Sequence, residues 1–487
     1  MSSKDKDMDK KKKVEKRAEE VKKLIVEYHD SACAELSKMV DDRVKNKEAR
    51  KIIKEKIFEN TDKLMYNNYF LVHSYIFGMT DEDFMFILQN DAVISFAKYM
   101  SYIPLFHALG DTIGYHNGHW EFNYGEINVK PEYTNEMIAE FISLGGVNDM
   151  SITGWMVSDD SIMYMATFST LLNTYKSIDE FGKELKKQYL GIASKMANRH
   201  PGETTMSSLA ILEGREWNDI PYNPMSLGSG SSMRTGCIGM FYPGTVNRNK
   251  LIALAVEASR ITHNSAVAIL GGITSALFTA YAIERVPINQ WPHKLLKLMK
   301  GNKIDDYLKK SRPDEYQFYQ RDKGVFIGKW EQYINFRFSG LTPRMDLKIM
   351  KNPVTRITYL AQKFSRIEKN FNPGSCADDS VIIAFDCLLE AGQSFEKLLV
   401  YSVLHPGDSD TVGCIAFSWF GANNINQKIY DTVGDRFKEI EDVNMIRRTV
   451  SLAYPRFVKT YYYDMYLHYG KKVAKKIIQS LGPGGIR

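Results

Sequence analysis

The chain has 487 residues, 44% of them hydrophobic, and a mean hydropathy of −0.32, which suits a soluble protein with an ample core. Its formal charge of +6 is uneven: residues 1–23 hold ten Lys/Arg against six Asp/Glu, four of the six net charges. The near-neutral remainder excludes the basic face that nucleic-acid binding requires.

In chain order, residues 1–90 predict a charged helical extension, with about its first 20 residues disordered by composition. Val21, Ile25, Tyr28 and Ala32 recur at helical spacing, and residues 61–90 continue amphipathically around Leu71, Tyr75 and Phe84. At residue 92 the composition turns apolar, so residues 91–467 read as the body, with the domain boundary at its start. Helices are expected near 94–109, 135–144, 161–175, 178–197, 249–260, 266–284, 381–391, 395–403 and 411–421. Long alternating strand runs are missing, so the fold class is all-α. Residues 293–345, charged and aromatic, read as an inserted helical lobe, and residues 468–487 as a basic, Gly-rich tail. The stretch from Ala266 to Ile283 carries no charge, and its 18 residues suit a buried core helix better than a membrane span.

Cys33, Cys237, Cys376, Cys387 and Cys414 are odd in number and lack a C-x-x-C spacing, which argues for a reducing compartment. The charged start lacks the apolar stretch of a signal peptide, so a cytoplasmic protein is expected. The basic run at 10–13 with Lys16 and Arg17 allows nuclear import, but reads first as a solvated tail.

Two acidic clusters carry the chemistry: Ser158-Asp159-Asp160 and Asp408-Ser409-Asp410-Thr411. Like charges held so close resist ionising together unless a cation lies between them. Carboxylate and hydroxyl oxygens are the ligands that Mg²⁺ prefers. For either cluster alone, capping a helix start is the stronger reading. Two together, beside small-residue loops, reverse that preference. One such loop runs from Ser226 and Leu227 through Gly228, Ser229 and Gly230 to Arg234, and suits an anion at a helix start. A second, Asn372-Pro373-Gly374-Ser375-Cys376-Ala377-Asp378-Asp379, ends in carboxylates that cap a helix or bind ribose hydroxyls. Arg199-His200-Pro201-Gly202 is a third candidate loop, and His263 precedes the apolar helix.

These motifs resemble the ADP-ribosylglycohydrolase family. They are Gly110-Asp111-Thr112-Ile113-Gly114, the two acidic clusters, Gly228-Ser229-Gly230-Ser231-Ser232-Met233-Arg234, Thr262-His263 and Ala391-Gly392. Within it the nearest resemblance is to the ADP-ribosylarginine hydrolases, through the string from Gly114 to Phe122, Ser275-Ala276-Leu277-Phe278 and Lys329-Trp330-Glu331-Gln332-Tyr333. The resemblance implies a compact all-α fold with two Mg²⁺ ions at the bottom of an ADP-ribose cleft. Ser158, Asp159, Asp160, Asp408, Asp410 and Thr411 are the implied metal ligands, and Asp159, Asp160 or Glu121 the implied base. Ser226, Leu227, Gly228 and Ser229 would hold the diphosphate. Gly202, His263, Ser375 and Asp379 complete the implied substrate contacts. Asp378 departs from the arginine hydrolases, which carry His there.

The expected reaction is hydrolysis of the N-glycosidic bond between ADP-ribose and a protein arginine, with ADP-ribose as product and a monomer as the working form. Aromatic residues between Tyr115 and Trp120 favour arginine, since a guanidinium stacks on rings. The alternatives are a serine or small-metabolite linkage, or a non-catalytic ADP-ribose-binding scaffold.

Overall fold

Helix starts in the body are specified by side chains that take up free N–H groups. Ser158, Ser177, Ser265 and Ser394 each accept a backbone N–H of the first turn that follows them. The computed structural model describes residues 91–122, 130–367, 371–424 and 427–458, with four isolated helical positions upstream at Asp41, Lys47, Arg50 and Lys51. Those four apart, the expected N-terminal helices and disordered tail, and the 468–487 tail, lie outside the described residues.

The architecture is all-α; among the described residues the only strands are Phe338–Ser339 and Thr342–Pro343, a two-residue antiparallel pair. Eight helices frame the site: α1 (Asp91–Tyr115), α2 (Asp159–Leu171), α3 (Ser232–Phe241), α4 (Arg248–Arg260), α5 (Ala266–Ile283), α6 (Pro313–Arg337), α7 (Asp379–Ala391) and α8 (Ser409–Asn424). Helix α5 has the length and composition of a membrane span, yet its whole span is buried in the core. It packs against α3, α4, α6 and α8.

Helix α1 crosses α8 with their backbones in direct approach. A Cβ on Gly110 would stand 2.5 Å from the Gly413 carbonyl oxygen, and one on Gly114 2.4 Å from that of Ser409. Two glycines four apart clear one face of α1, so the backbones touch and the Asp408-Asp410 cluster sits against the end of α1.

The 293–345 lobe consists of Trp291–Met299, Lys303–Ser311 and α6, joined to the body by Phe278, Trp291, Trp330, Phe385 and Trp419, all fully buried. A charged lock supplements these rings. Asp386 of α7 accepts from Arg337 Nε at 2.6 Å and Tyr333 Oη at 2.8 Å, and it also pairs with Arg356. Burial works to raise the Asp386 carboxyl, but Arg356 and Arg337 outweigh it and hold it below the ordinary carboxylate value. Removing one partner of so buried a network would cost about 3–5 kcal/mol. It fixes α7, whose N-terminus carries the second small-residue loop.

Candidate metal centre and ligand loops

The two acidic clusters meet at the N-termini of α2 and α8, beside the C-terminal end of α1. Capping and ligation turn out to be compatible. The Ser158 hydroxyl accepts the Asp160 N–H at 3.1 Å, and Asp408 Oδ1 accepts the Thr411 N–H at 3.2 Å. Each leaves oxygen lone pairs for a further partner. The Asp160 side chain faces α8, where Cys414 donates its thiol to Asp160 Oδ2 at 3.3 Å. Glu121, 5% exposed, brings its carboxylate to within 4.8 Å of those of Asp408 and Asp410.

Burial pushes Asp159 up to about 8, aided by the Asp111 charge, and Glu121 up to about 9, aided by Asp410. Asp160, Asp408 and Asp410 are raised well above the carboxylate range by burial and then by one another. Among the described residues no Lys or Arg forms an ion pair with this group. Buried carboxylates of one sign need a cation. An all-oxygen set fits a hard divalent ion, and Glu121, Asp408 and Asp410 are the carboxylates whose oxygens lie close enough together to share one. Ser158, Asp159, Asp160 and Thr411 are the buried oxygen donors of the same two clusters.

Three residues that the sequence places in motifs, without a task for any of them singly, order this centre. Asp111 of α1 accepts the N–H groups of Ser158 and Ser161. His200 places Nδ1 2.8 Å from Glu121 Oε2, and this bond raises the imidazole above its ordinary value. Arg199 offers its carbonyl to the Asp159 N–H at 3.2 Å. The backbone of Gly202, in the same loop, partly offsets the rise of the Asp159 carboxyl. The signal that could have revealed Asp111 was its place between the two α1 glycines.

The two small-residue loops pair with each other over the centre. Ser229 N–H donates to the Ser375 carbonyl at 2.9 Å, and Ala377 N–H to the Leu227 carbonyl at 2.8 Å. The Ser229 hydroxyl reaches Asp408 Oδ2 at 3.1 Å, which joins the loop to the second acidic cluster. The buried Ser226 hydroxyl finds no protein partner among the described residues, so it is a donor or acceptor in reserve. His263 lies beneath this loop. Its ring fills the space where a Cβ on Gly228 or Gly230 would go, and burial lowers it to about 3, so it is a neutral packing residue.

In the second loop the Ser375 hydroxyl donates to the Asn372 carbonyl. Asp379 accepts the Gly374 and Cys376 N–H groups at 3.1 and 3.0 Å, one on each oxygen, and so holds the loop's shape. Asp378 pairs with Arg366 and with Lys329 of α6. The aromatic string differs from expectation. Tyr115, His116 and Trp120 are buried, His116 stacked on Trp155 at 3.8 Å and Trp120 tied to Glu140 at 2.9 Å. Core packing consumes those faces; the rings of the string left open are His119 and, beside Glu121, Phe122, 36% exposed.

Residues 107–452 match the sequence profile of the ADP-ribosylglycohydrolase family. A protein of Acanthamoeba polyphaga mimivirus, assigned by name to the ADP-ribosyl glycohydrolases, is 50% identical over 360 residues, 73% of this chain and 69% of its own length. The ADP-ribosylhydrolase ARH1 of Dictyostelium discoideum is 33% identical over 341 residues, 65% of this chain and 84% of its own. A solved structure described as an ADP-ribosylglycohydrolase-related protein complex superposes with a TM-score of 0.45 at 17% identity, covering 74% of this chain and 99% of the other; the assignment does not rest on it. By the extent of the profile match and the identity of these relatives, the chain belongs to the ADP-ribosylglycohydrolase family.

Proposed function

We propose that this protein is a Mg²⁺-dependent hydrolase that releases ADP-ribose from arginine side chains of modified proteins. The observation that carries the reading is the convergence of Glu121 with Asp408 and Asp410 next to Asp159 and Asp160, beneath paired loops of small residues. The name of the Dictyostelium relative, an ADP-ribosylhydrolase, supports the reaction class.

The diphosphate would lie along the 226–231 loop and the start of α3, with the unpartnered Ser226 hydroxyl as a donor. Bound Mg²⁺ ions would polarise the ribose hydroxyls and ease deprotonation of a water at neutral pH. Cleavage builds oxocarbenium character on the ribose, which surrounding carboxylates stabilise. In the net reaction a water oxygen bonds to C1″ and the C1″–N bond breaks. The proton that the water gives up is held in passing by the protein and passed to the departing guanidine nitrogen, so the protein ends as it began. Glu121 is the group for that proton. Its partner His200 has a side chain 49% exposed and so connects it to solvent. Acidic surroundings also favour a guanidinium product over a neutral serine hydroxyl.

The test is chromatographic release of ADP-ribose from arginine-modified and serine-modified protein, side by side, with Mg²⁺ and with EDTA. The reading expects fast release from arginine that EDTA abolishes. Faster release from serine, or none from either, refutes it.

A further inference from the structure

Beyond the metal ligands, the structure ties the site to the far end of the chain. Between the helices Gln427–Phe437 and Val443–Val458 lies a short turn carrying Glu439 and Glu441. Glu439 Oε2 accepts from the Ser151 hydroxyl at 2.7 Å and the Ile152 N–H at 2.8 Å, at the start of the loop entering α2. Glu441 Oε2 accepts the Val157 N–H at 3.0 Å, where that loop ends one residue before Ser158. Glu441 also binds both terminal nitrogens of Arg199, at 2.7 and 2.8 Å, the two-pronged geometry that gives an ion pair direction. Arg199 in turn donates to the Val157 carbonyl at 2.5 Å.

The loop that Arg199 anchors needs such a tie. Asn198 and His200 both have positive φ, 63° and 51°, a conformation that costs a residue with a Cβ of order 1 kcal/mol or more unless its surroundings impose it. What the strained loop delivers is specific: the Arg199 carbonyl to the Asp159 N–H, and the His200 ring to Glu121. The pair is 17% and 30% exposed on its two side chains, too wet to matter much as a stability element alone. Its geometric effect is large, because releasing Arg199 frees contacts to two acidic residues of the centre at once.

We propose that Glu441 is a positioning residue for the reaction assigned above, acting through Arg199 to hold the 198–202 loop against Asp159 and Glu121; the inference rests on that assignment. It implies that the C-terminal helical hairpin is part of the working site although it places no group on the substrate.

The test compares the full-length protein with Glu441→Gln, which keeps an oxygen for the Val157 N–H and removes the ion pair. Two measurements are made: steady-state ADP-ribose release with saturating Mg²⁺, and hydrogen exchange of backbone amides without substrate. We expect kcat to fall on the order of tenfold to a hundredfold, the cost of a small misplacement of catalytic groups, with KM within about twofold. Exchange should speed up in residues 158–161 and 198–202 and stay unchanged in α5. Arg199→Ala should give the same loss, and the double variant no more than either single one. Wild-type kcat in Glu441→Gln, unchanged exchange in residues 198–202, or additive losses in the double variant each overturn the proposal. Should the wild-type protein release no ADP-ribose, the functional reading fails, and the exchange result still decides whether Glu441 holds the loop.

Discussion

Asp111 and Ser161 are joined across the α1–α2 junction: the carboxylate accepts the Ser161 N–H at 3.1 Å, and the Ser158 N–H at the same distance. One fully buried acid thus spans the first turn of α2, and the turn it splints carries Asp159 and Asp160. Asp111 sits between the glycines that let α1 touch α8. A single residue therefore sets the position of one acidic cluster relative to the other.

Replacing Asp111 by Asn leaves one acceptor oxygen for two N–H groups and buries an amide NH₂ with no evident acceptor. A stability loss of about 1–3 kcal/mol is expected, from the desolvation cost of the unmatched groups. Because α2 would tilt, kcat should fall further than stability alone explains. Urea unfolding together with kcat measured under fully folded conditions checks this; wild-type values for both would remove Asp111 from the machinery.

Asp159→Ala and Asp408→Ala are each expected to abolish hydrolysis while leaving the far-ultraviolet circular dichroism intact. Deleting one of several crowded, buried carboxylates relieves repulsion, so the metal-free variants should melt at or above the wild-type temperature. Calorimetric titration with Mg²⁺ should show weakened binding in both. Near-normal turnover in either variant at saturating Mg²⁺ would mean that the clusters do not share one centre.

The raised carboxyls fix the sign of a pH effect. Burial lifts Asp159 from 3.8 to about 8 and Glu121 from 4.5 to about 9, so between those values the folded state binds more protons than the unfolded state. Stability of the metal-free protein must then fall as pH rises through that window. Divalent ions compete with those protons and should reverse the trend. Melting temperature followed from pH 5 to pH 9 in EDTA and in Mg²⁺ should give opposite slopes; parallel slopes would show that the ions do not bind these acids.

Much of this was legible in local pattern. Helices expected at 266–284 and 381–391 are observed as Ala266–Ile283 and Asp379–Ala391, because uniform apolarity and an acidic or hydroxyl start mark them unambiguously. Helices Glu203–Leu212, Pro353–Phe364, Gln427–Phe437 and Val443–Val458 were among those missed; the first has a polar opening turn, and the other three lie where no motif drew attention. The acidic clusters stood out because both required residues are adjacent in sequence. Glu441 did not, since nothing local marks it and its partner Arg199, noted only as part of a candidate loop, is 242 positions away. Trp120 misled for the same reason: an aromatic residue reads alike whether its face meets a ligand or, as here, Phe141 and Trp155.

A chain beginning at Asp91 is expected to retain its turnover number. The family profile begins at residue 107, and every candidate ligand lies beyond it. Loss of solubility or of a few degrees in melting temperature is compatible with this expectation. A truncated protein that is folded by circular dichroism, binds Mg²⁺ and is inactive would place part of the catalytic apparatus upstream of residue 91.

Gly230 offers the sharpest test of the ligand loop. A Cβ there would stand 2.5 Å from His263 Cε1 and 3.0 Å from Nε2, closer than van der Waals contact permits. The imidazole cannot easily retreat. It is 2% exposed, its Nδ1 lies 2.8 Å from the Thr262 hydroxyl, and its backbone N–H is bonded to the Ser259 carbonyl at 2.8 Å. In Gly230→Ala the loop must therefore yield, at an overpacking cost of about 1–3 kcal/mol. The loop is paired to Ser375 and bonded to Asp408, so its displacement reaches the proposed diphosphate contacts and the metal centre together. ADP-ribose affinity, measured by calorimetry with Mg²⁺ present, should drop about tenfold, equivalent to 1.4 kcal/mol. If the clash with His263 is the cause, His263→Ala opens the space, and the Gly230→Ala, His263→Ala double variant should bind better than Gly230→Ala alone. An equal or greater loss in the double variant would show instead that His263 contributes to binding directly, and that the glycine is needed for the ligand's approach rather than for the ring beneath it.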